Sequence, residues 1–288
     1  MKGLLDGLVP AGVPARLLFV HAHPDDETLT TGVAIAHHVA RGDEVHVLTC
    51  TLGEEGEVIP AALAHLEGDG PALAAHRRDE LARAVAALGA THHLLGAREA
   101  GDAPAFRDSG MAGSRAAAHT RAFAGVPLGV AADAVGAVLD AVAPHVVVTY
   151  DATGGYGHPD HVRTHGATRV AAAARDLPVL GVLVPLSWAQ EDRRWLAATL
   201  SEAEGWVLPT AEHAYAANTV PDEVVTRAVV DPGVLPVQEA ALRAHATQVV
   251  VGSGWYALSN HHVFRLAGRE AYARLDPASG RPLPEGQP

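Results

Sequence analysis

The stretch "RLLFVHAHPDDETLTTGVAIAHHVARG", residues 16–42, decides the fold class. Its first part, "RLLFVHA" (16–22), is a short apolar run of the kind that forms a buried strand. From Leu29 to Arg41 small or apolar residues recur at Leu29, Val33, Ala36 and Ala40, in steps of four, three and four, and Gly42 supplies a stop, so a helix is predicted. A strand feeding directly into a helix is half of a βαβ unit, whose strands lie parallel. Between the two elements stands "HAHPDDE", with two histidines and two adjacent aspartates.

Working outward, the alternation repeats. Strands are predicted at "EVHVLTCT" (44–51), "HHLLG" (92–96) and "HVVVTYD" (145–151). Helices are predicted over "PALAAHRRDELARAVAALG" (71–89), "LGVAADAVGAVLDAVAP" (128–144) and "HPDHVRTHGATRVAAAA" (158–174), the last entered through "ATGGYG". Residues 97–119 lack a period and read as a long loop of the functional kind. After about residue 175 the pattern loosens. It offers a strand at 179–186, a Trp-bearing polar segment near 188–206, a strand at 223–230, a helix at 234–250 and a frayed tail at 276–288. The expected architecture is α/β, a doubly wound, mostly parallel, Rossmann-like sheet with a smaller C-terminal lobe. The expected parts are a catalytic domain over 1–175, a pocket-lining lobe over 176–230, and a returning helix with tail over 231–288.

Composition narrows the function. The 288 residues carry 21 Lys and Arg against 33 Asp and Glu, a net charge of -12, which leaves no basic stripe for nucleic acid. The single cysteine, Cys50, excludes an intrachain disulfide framework and sits in an apolar run. Asp6, Pro10 and Pro14 interrupt any signal-peptide core, and no apolar stretch reaches the ~20 residues of a membrane span, so a cytoplasmic chain is expected. The patterns GxGxxG, Walker A and GxSxG are absent.

Ligands of open α/β sheets collect outside the carboxyl ends of the strands. "HAHPDDE" and "YDATGGYGHPDH" both follow predicted strands, so they converge if those strands are neighbours. His23, Asp26 and His161 meet the usual requirement of a catalytic zinc site, three protein ligands with a position left for water, and ferrous iron accepts the same set. Asp25, adjacent to Asp26 but splayed from it, can take the proton of a water whose pKa a metal lowers towards ~7. Tyr156 and His158 are placed to stabilise charge on a carbonyl oxygen. His21 reads as packing or support for a neighbour, and His165 is left outside the ligand set. Glu54, Glu55 and Glu57 read equally as a solvated loop or a pocket rim.

"HAHPDDETL" together with "GYGHPDH" resembles the PIG-L/LmbE family of metal-dependent N-deacetylases. Within it, "LGEEGEV", "FRDSGMAG", "HVVVTYD" and "AHATQVVVG" look like the branch acting on N-acetylglucosaminyl-inositol in mycothiol biosynthesis. The resemblance runs in patches from about residue 16 to 260 and is weak through 171–233. It implies the ligand set His23, Asp26 and His161 around one zinc per subunit, with ferrous iron as the other candidate. It implies Asp25 as base, Tyr156 and His158 at the carbonyl oxygen, and Asp160 orienting a histidine. Arg77 and Asp108 become contacts to sugar and inositol hydroxyls, which both donate and accept. The implied substrate is a small amino-sugar inositol whose acetamide is hydrolysed, and the alternatives are the larger amide of a mycothiol S-conjugate or the N-acetyl group of another sugar, as in other members of the family.

Overall fold

The structure is a computed structural model that describes residues 1–97, 102, 104–200, 205–210 and 212–284. The opening run forms β1 (Arg16–His21), buried beyond its first residue, and the following period forms α1 (Asp26–Ala40). Next come β2 (Glu44–Thr49), α2 (Gly70–Leu88), β3 (Thr91–Leu94), α3 (Leu128–Val142) and β4 (Val146–Tyr150). A short turn α4 (Gly154–Gly157) leads into α5 (Pro159–Ala173) and then β5 (Val179–Pro185). The strands pair parallel in the order β3-β2-β1-β4-β5. β1 thus has its chain successor β2 on one side and β4 on the other, which is the reversal of strand order that opens a crevice at the carboxyl edge.

Alternating side chains of β1 divide the core. Leu17 and Phe19 pack with Val33 and Ile35 of α1, while Leu18 and Val20 face Val135 and Leu139 of α3 and Ala167 and Ala171 of α5. Helices therefore cover both faces, as a parallel sheet requires.

The C-terminal part is more regular than its sequence suggests. The polar segment after β5 is the helix α6 (Leu186–Thr199), followed by β6 (Thr219–Val220), which pairs with β5, and β7 (Arg227–Val230). α7 (Leu235–Ala244) stops six residues before the expected end at 250, because the backbone of His245 turns out of helical geometry. A small antiparallel sheet follows, of β8 (Val250–Val251), β9 (Trp255–Ala257) and β10 (Val263–Arg265). With α6 it encloses a separate apolar cluster of Leu196, Ala257 and Val263 against Trp195, Trp206 and Trp255, the smaller C-terminal unit. A strand absent from the sequence reading, β11 (Arg269–Arg274), inserts antiparallel between β5 and β7 and completes the main sheet.

The expected frayed tail is corrected over its described part. Leu283 N donates to Arg274 O at 2.7 Å, Asp276 caps the turn through Ser279, and Arg169 binds the carbonyls of Pro277 and Ala278. Residues 285–288 of that tail, 98–101 and 103 of the long loop, and 201–204 of the Trp-bearing segment lie outside the described residues. Among the described residues no helix is long and apolar enough to cross a membrane.

Candidate active site

The loop leaving β1 carries His23, Pro24 and Asp25 straight into α1, where Asp26 and Glu27 occupy the first turn, a favourable end of the helix for negative charge. Asp25 is the N-cap in an unusual conformation, φ 106°, ψ -35°, rare for any residue but glycine. The loop leaving β4 turns through Gly154 and Gly155, at φ 67° and 74°. It enters α5 with His158 as N-cap and Pro159 at the first helical position, where a missing amide costs nothing.

These two loops bring three donor atoms together. His23 Nδ1 lies 3.2 Å from His161 Nε2, and Asp26 Oδ2 lies 3.3 Å from each of them. Donors bound to one tetrahedral zinc at about 2.0–2.1 Å are separated by about 3.3 Å, so the triangle has the edge length of such a site. The far nitrogens set the tautomers. His161 Nδ1 donates to Gly154 O at 3.1 Å, and His23 Nε2 faces Asp160 Oδ2 at 3.4 Å and Asp108 Oδ1 at 3.6 Å. With His23 Nδ1 and His161 Nε2 deprotonated, as ligation would require, both imidazoles offer lone pairs beside Asp26, a donor set that suits a divalent cation. His23 also lies within ligating reach of His158 together with His161, and of Asp108 together with Asp160.

Electrostatics follow from burial and charge. Burial opposes charge on His23, but Asp108, Asp160 and Asp26 outweigh it and raise its pKa well above the ordinary value. Burial likewise works against ionised Asp26, yet His161 and His23 hold its carboxyl well below the usual range. Burial, then the charge of Asp26, push the Asp25 carboxyl up to about 8. Burial and the neighbouring His23 and His161 push His158 down to about 4. Its Nδ1 accepts the Asp160 amide at 3.2 Å, so the neutral ring carries its proton on Nε2.

The structure therefore brings His23, Asp25, Asp26, Asp108, His158, Asp160 and His161 to one carboxyl-edge crevice. Tyr156 joins them with its ring 5.0 Å from that of His161, and it is 62% exposed. Arg77 is placed differently: it is buried, and its guanidinium donates to Gly53 O at 2.5 Å and Glu57 O at 2.9 Å, holding the loop after β2. In that loop Glu54 accepts the Asp108 amide and Glu55 pairs with Arg107. His21 is buried against Thr31 with its pKa lowered to about 4, and His165 is bonded to Tyr150 O.

Several contributors were not legible beforehand. Ser109 fixes both oxygens of Asp160, through its amide at 2.9 Å and its hydroxyl at 2.5 Å. Tyr150 stacks on His161 at 4.2 Å and accepts the Ala22 amide at 2.9 Å. Glu27 accepts the Asp25 amide at 3.0 Å and is paired with buried His245 at 2.7 Å. Gln248 donates to Asp25 Oδ2 at 2.7 Å. Proximity of Ser109 to Asp108, of Tyr150 to the end of a strand and of Glu27 to Asp25 were the available signals; for His245 and Gln248 the partners lie too far apart in sequence.

The family described as "PIG-L: GlcNAc-PI de-N-acetylase" matches residues 18–172. A Rhodococcus opacus protein named 1D-myo-inositol 2-acetamido-2-deoxy-alpha-D-glucopyranoside deacetylase is 48% identical over 260 residues, covering 85% of this chain and 86% of its own. A protein of the same name from Mycolicibacterium smegmatis is 44% identical, covering 92% and 91%. Among solved structures, a deacetylase of the teicoplanin biosynthesis pathway superposes with TM-score 0.52 at 22% identity, over 91% of this chain and 99% of that one. A 4-carboxy-2-hydroxymuconate hydratase from Pseudomonas putida gives TM-score 0.51 at 18% identity, over 81% and 80%. The same fold therefore carries a hydratase as well as deacetylases, and the reaction must be argued from the site.

Proposed function

The chain belongs to the PIG-L family of GlcNAc-PI de-N-acetylases, and from that premise we propose that it hydrolyses the acetamide of N-acetylglucosaminyl-inositol to acetate and glucosaminyl-inositol, a step of mycothiol biosynthesis. The observation that carries the reading is the triangle of His23 Nδ1, Asp26 Oδ2 and His161 Nε2 at 3.2–3.3 Å, with a second carboxylate, Asp25, beside it and outside it. His23, Asp26 and His161 would hold one zinc or ferrous ion. When bound, the ion supplies an acidified water and polarises the acetyl carbonyl.

The chain's own groups then divide the work. Asp25 accepts the proton of the attacking water. His158 is a neutral donor: its Nε2–H, fixed by the Asp160 amide on Nδ1, faces the charge that develops on the carbonyl oxygen, and the Tyr156 hydroxyl approaches the same oxygen. Asp160, held by Ser109, keeps His23 oriented. Asp25, once protonated, returns its proton to the leaving amine. Asp108 and Arg77, which retains donors beyond the two spent on loop carbonyls, are the groups for sugar and inositol hydroxyls. Residues 1–175 carry the polar centre and 231–288 supply Gln248. Residues 176–230 line the outer rim, a role supported by the Asn218 amide bonded to Gly155 O beside Tyr156 at 3.1 Å.

The test is amine release from N-acetylglucosaminyl-inositol by metal-loaded and chelated protein, run beside a mycothiol S-conjugate. Turnover of the acetamide should vanish with chelator and return with zinc or ferrous iron. Faster cleavage of the conjugate assigns the amidase reading instead.

A further inference from the structure

The segment "HATQ", His245–Gln248, leaves α7 and runs beneath the loop that carries Asp25. Three of its side chains are spent there. His245 Nε2 donates to Glu27 Oε1 at 2.7 Å, both residues being fully buried, and Glu27 Oε2 accepts the Asp25 amide at 3.0 Å. Thr247 is tied by its amide and hydroxyl to the two oxygens of Glu80 in α2, at 2.9 and 2.6 Å. Gln248 Nε2 donates to Pro24 O at 2.6 Å and to Asp25 Oδ2 at 2.7 Å.

The carbonyl of Pro24 can only accept, so the side-chain NH₂ must face it, and with Asp25 Oδ2 as the second partner both its protons are committed. Gln248 Oε1 points the other way, buried and without a partner among the described residues. An amide kept with its carbonyl unsatisfied is kept for its donors. Those donors grip the carbonyl of the peptide that enters the φ 106° conformation of Asp25 and the carboxyl beyond it, while Glu27 holds that peptide's amide. Oδ2 of Asp25 is occupied by Gln248, and among the described residues Oδ1 accepts no hydrogen bond, leaving it for a water.

We propose that Gln248, backed by the buried His245–Glu27 pair, is a positioning residue that holds Asp25 in its left-handed conformation and presents Oδ1, not Oδ2, to the attacking water. The proposal rests on Asp25 being the base. Thr247 and His245 anchor the segment without Gln248, and Ile59 N donates to Thr247 O at 2.9 Å, so exchange at 248 alone leaves the segment in place.

The measurement is Gln248→Met, similar in length and without donors, compared with wild type and with Gln248→Glu, which sets a carboxylate against Asp25. For metal-loaded protein, kcat for amine release falls about 10- to 100-fold in Gln248→Met, with KM within about twofold and metal content per chain unchanged, and falls further in Gln248→Glu. Crystal structures of Gln248→Met and wild type show Asp25 leaving its left-handed conformation or its carboxylate turned. A kcat within about twofold of wild type, an equal loss accompanied by loss of metal, or an unmoved Asp25 overturns the proposal. If wild type itself releases no amine, the substrate reading fails, and the position of Asp25 in the two crystal structures still decides the role of Gln248.

Discussion

The two loops that meet at the site are built in opposite ways. The loop after β1 bends through a non-glycine residue at φ 106° and holds it with Gln248 and with buried Glu27, itself paired with buried His245. The loop after β4 bends through Gly154, Gly155 and Gly157, at φ 67°, 74° and 91°, and leaves Tyr156 62% exposed. In the first, an unfavourable backbone is held by over-determination, which fixes an oxygen to the tolerance that proton transfer demands. In the second, glycine lowers the cost of the turn, Asp151 and Asn218 hold its backbone, and the side chain of Tyr156 is left exposed.

The sharpest way to break the comparison is Asp25→Asn, which keeps shape and removes the proposed base. Turnover should fall by about 10²–10⁴ with metal content unchanged, because Asp25 stands outside the ligand triangle. Equal turnover with bound metal would shift the base elsewhere.

A second probe loosens the helix behind the strained loop. Glu270 of β11 accepts the Val33 and Ala34 amides of α1 on its two oxygens at 2.8 and 2.9 Å, and the Tyr272 hydroxyl at 2.6 Å. In Glu270→Gln one amide loses its acceptor, at a cost of about 1–3 kcal/mol in unfolding free energy. Burial raises the Glu270 carboxyl from 4.5 to about 7, so the folded chain holds a proton that the unfolded chain releases between those values. Its contribution to stability is therefore lost as pH rises through that window, and a melting series in pH should show that slope in the wild type and not in Glu270→Gln.

The smallest effects form a mirrored pair. Asp25→Gly relieves strain that Asp25→Ala retains, so the glycine variant should be the more stable of the two by about 1–2 kcal/mol, with both inactive. Gly155→Ala adds strain on the other side and should lower stability by about the same amount. Thermal melts of the three variants against wild type measure both halves.

What was legible in the sequence follows the range of the forces involved. β1, α1, β4 and α5 announce themselves by local periodicity, and His23, Asp26, His158 and His161 stand at their junctions, so the polar centre could be read once the strands were taken as neighbours. β11, "REAYAR", hides because its charges are answered far away: Arg269 by Glu191 and Asp192 of α6, and Glu270 by the backbone of α1. α6 reads as an irregular polar segment for the same reason. The end of α7 was placed too late because Thr247 and Gln248 continue a plausible pattern while spending their polar groups on Glu80 and Asp25. For Arg77 the resemblance implies a polyol contact, and that it is buried with two of its donors holding a loop is legible only in three dimensions.

The place of β11 between β5 and β7 also sets an order of events. As the chain leaves the ribosome, the five parallel strands can assemble in sequence, each onto a neighbour already made. β7 meets the backbone of Lys2 early, but its pairing into the main sheet waits until residues some forty positions later arrive to bridge it to β5. Pairing of that kind is non-local and slow. The nascent protein would thus hold His23, Asp26 and His161 for an interval during which α1, which bears Asp26, still lacks its Glu270 strut, and pairing at the sheet's far edge closes the assembly.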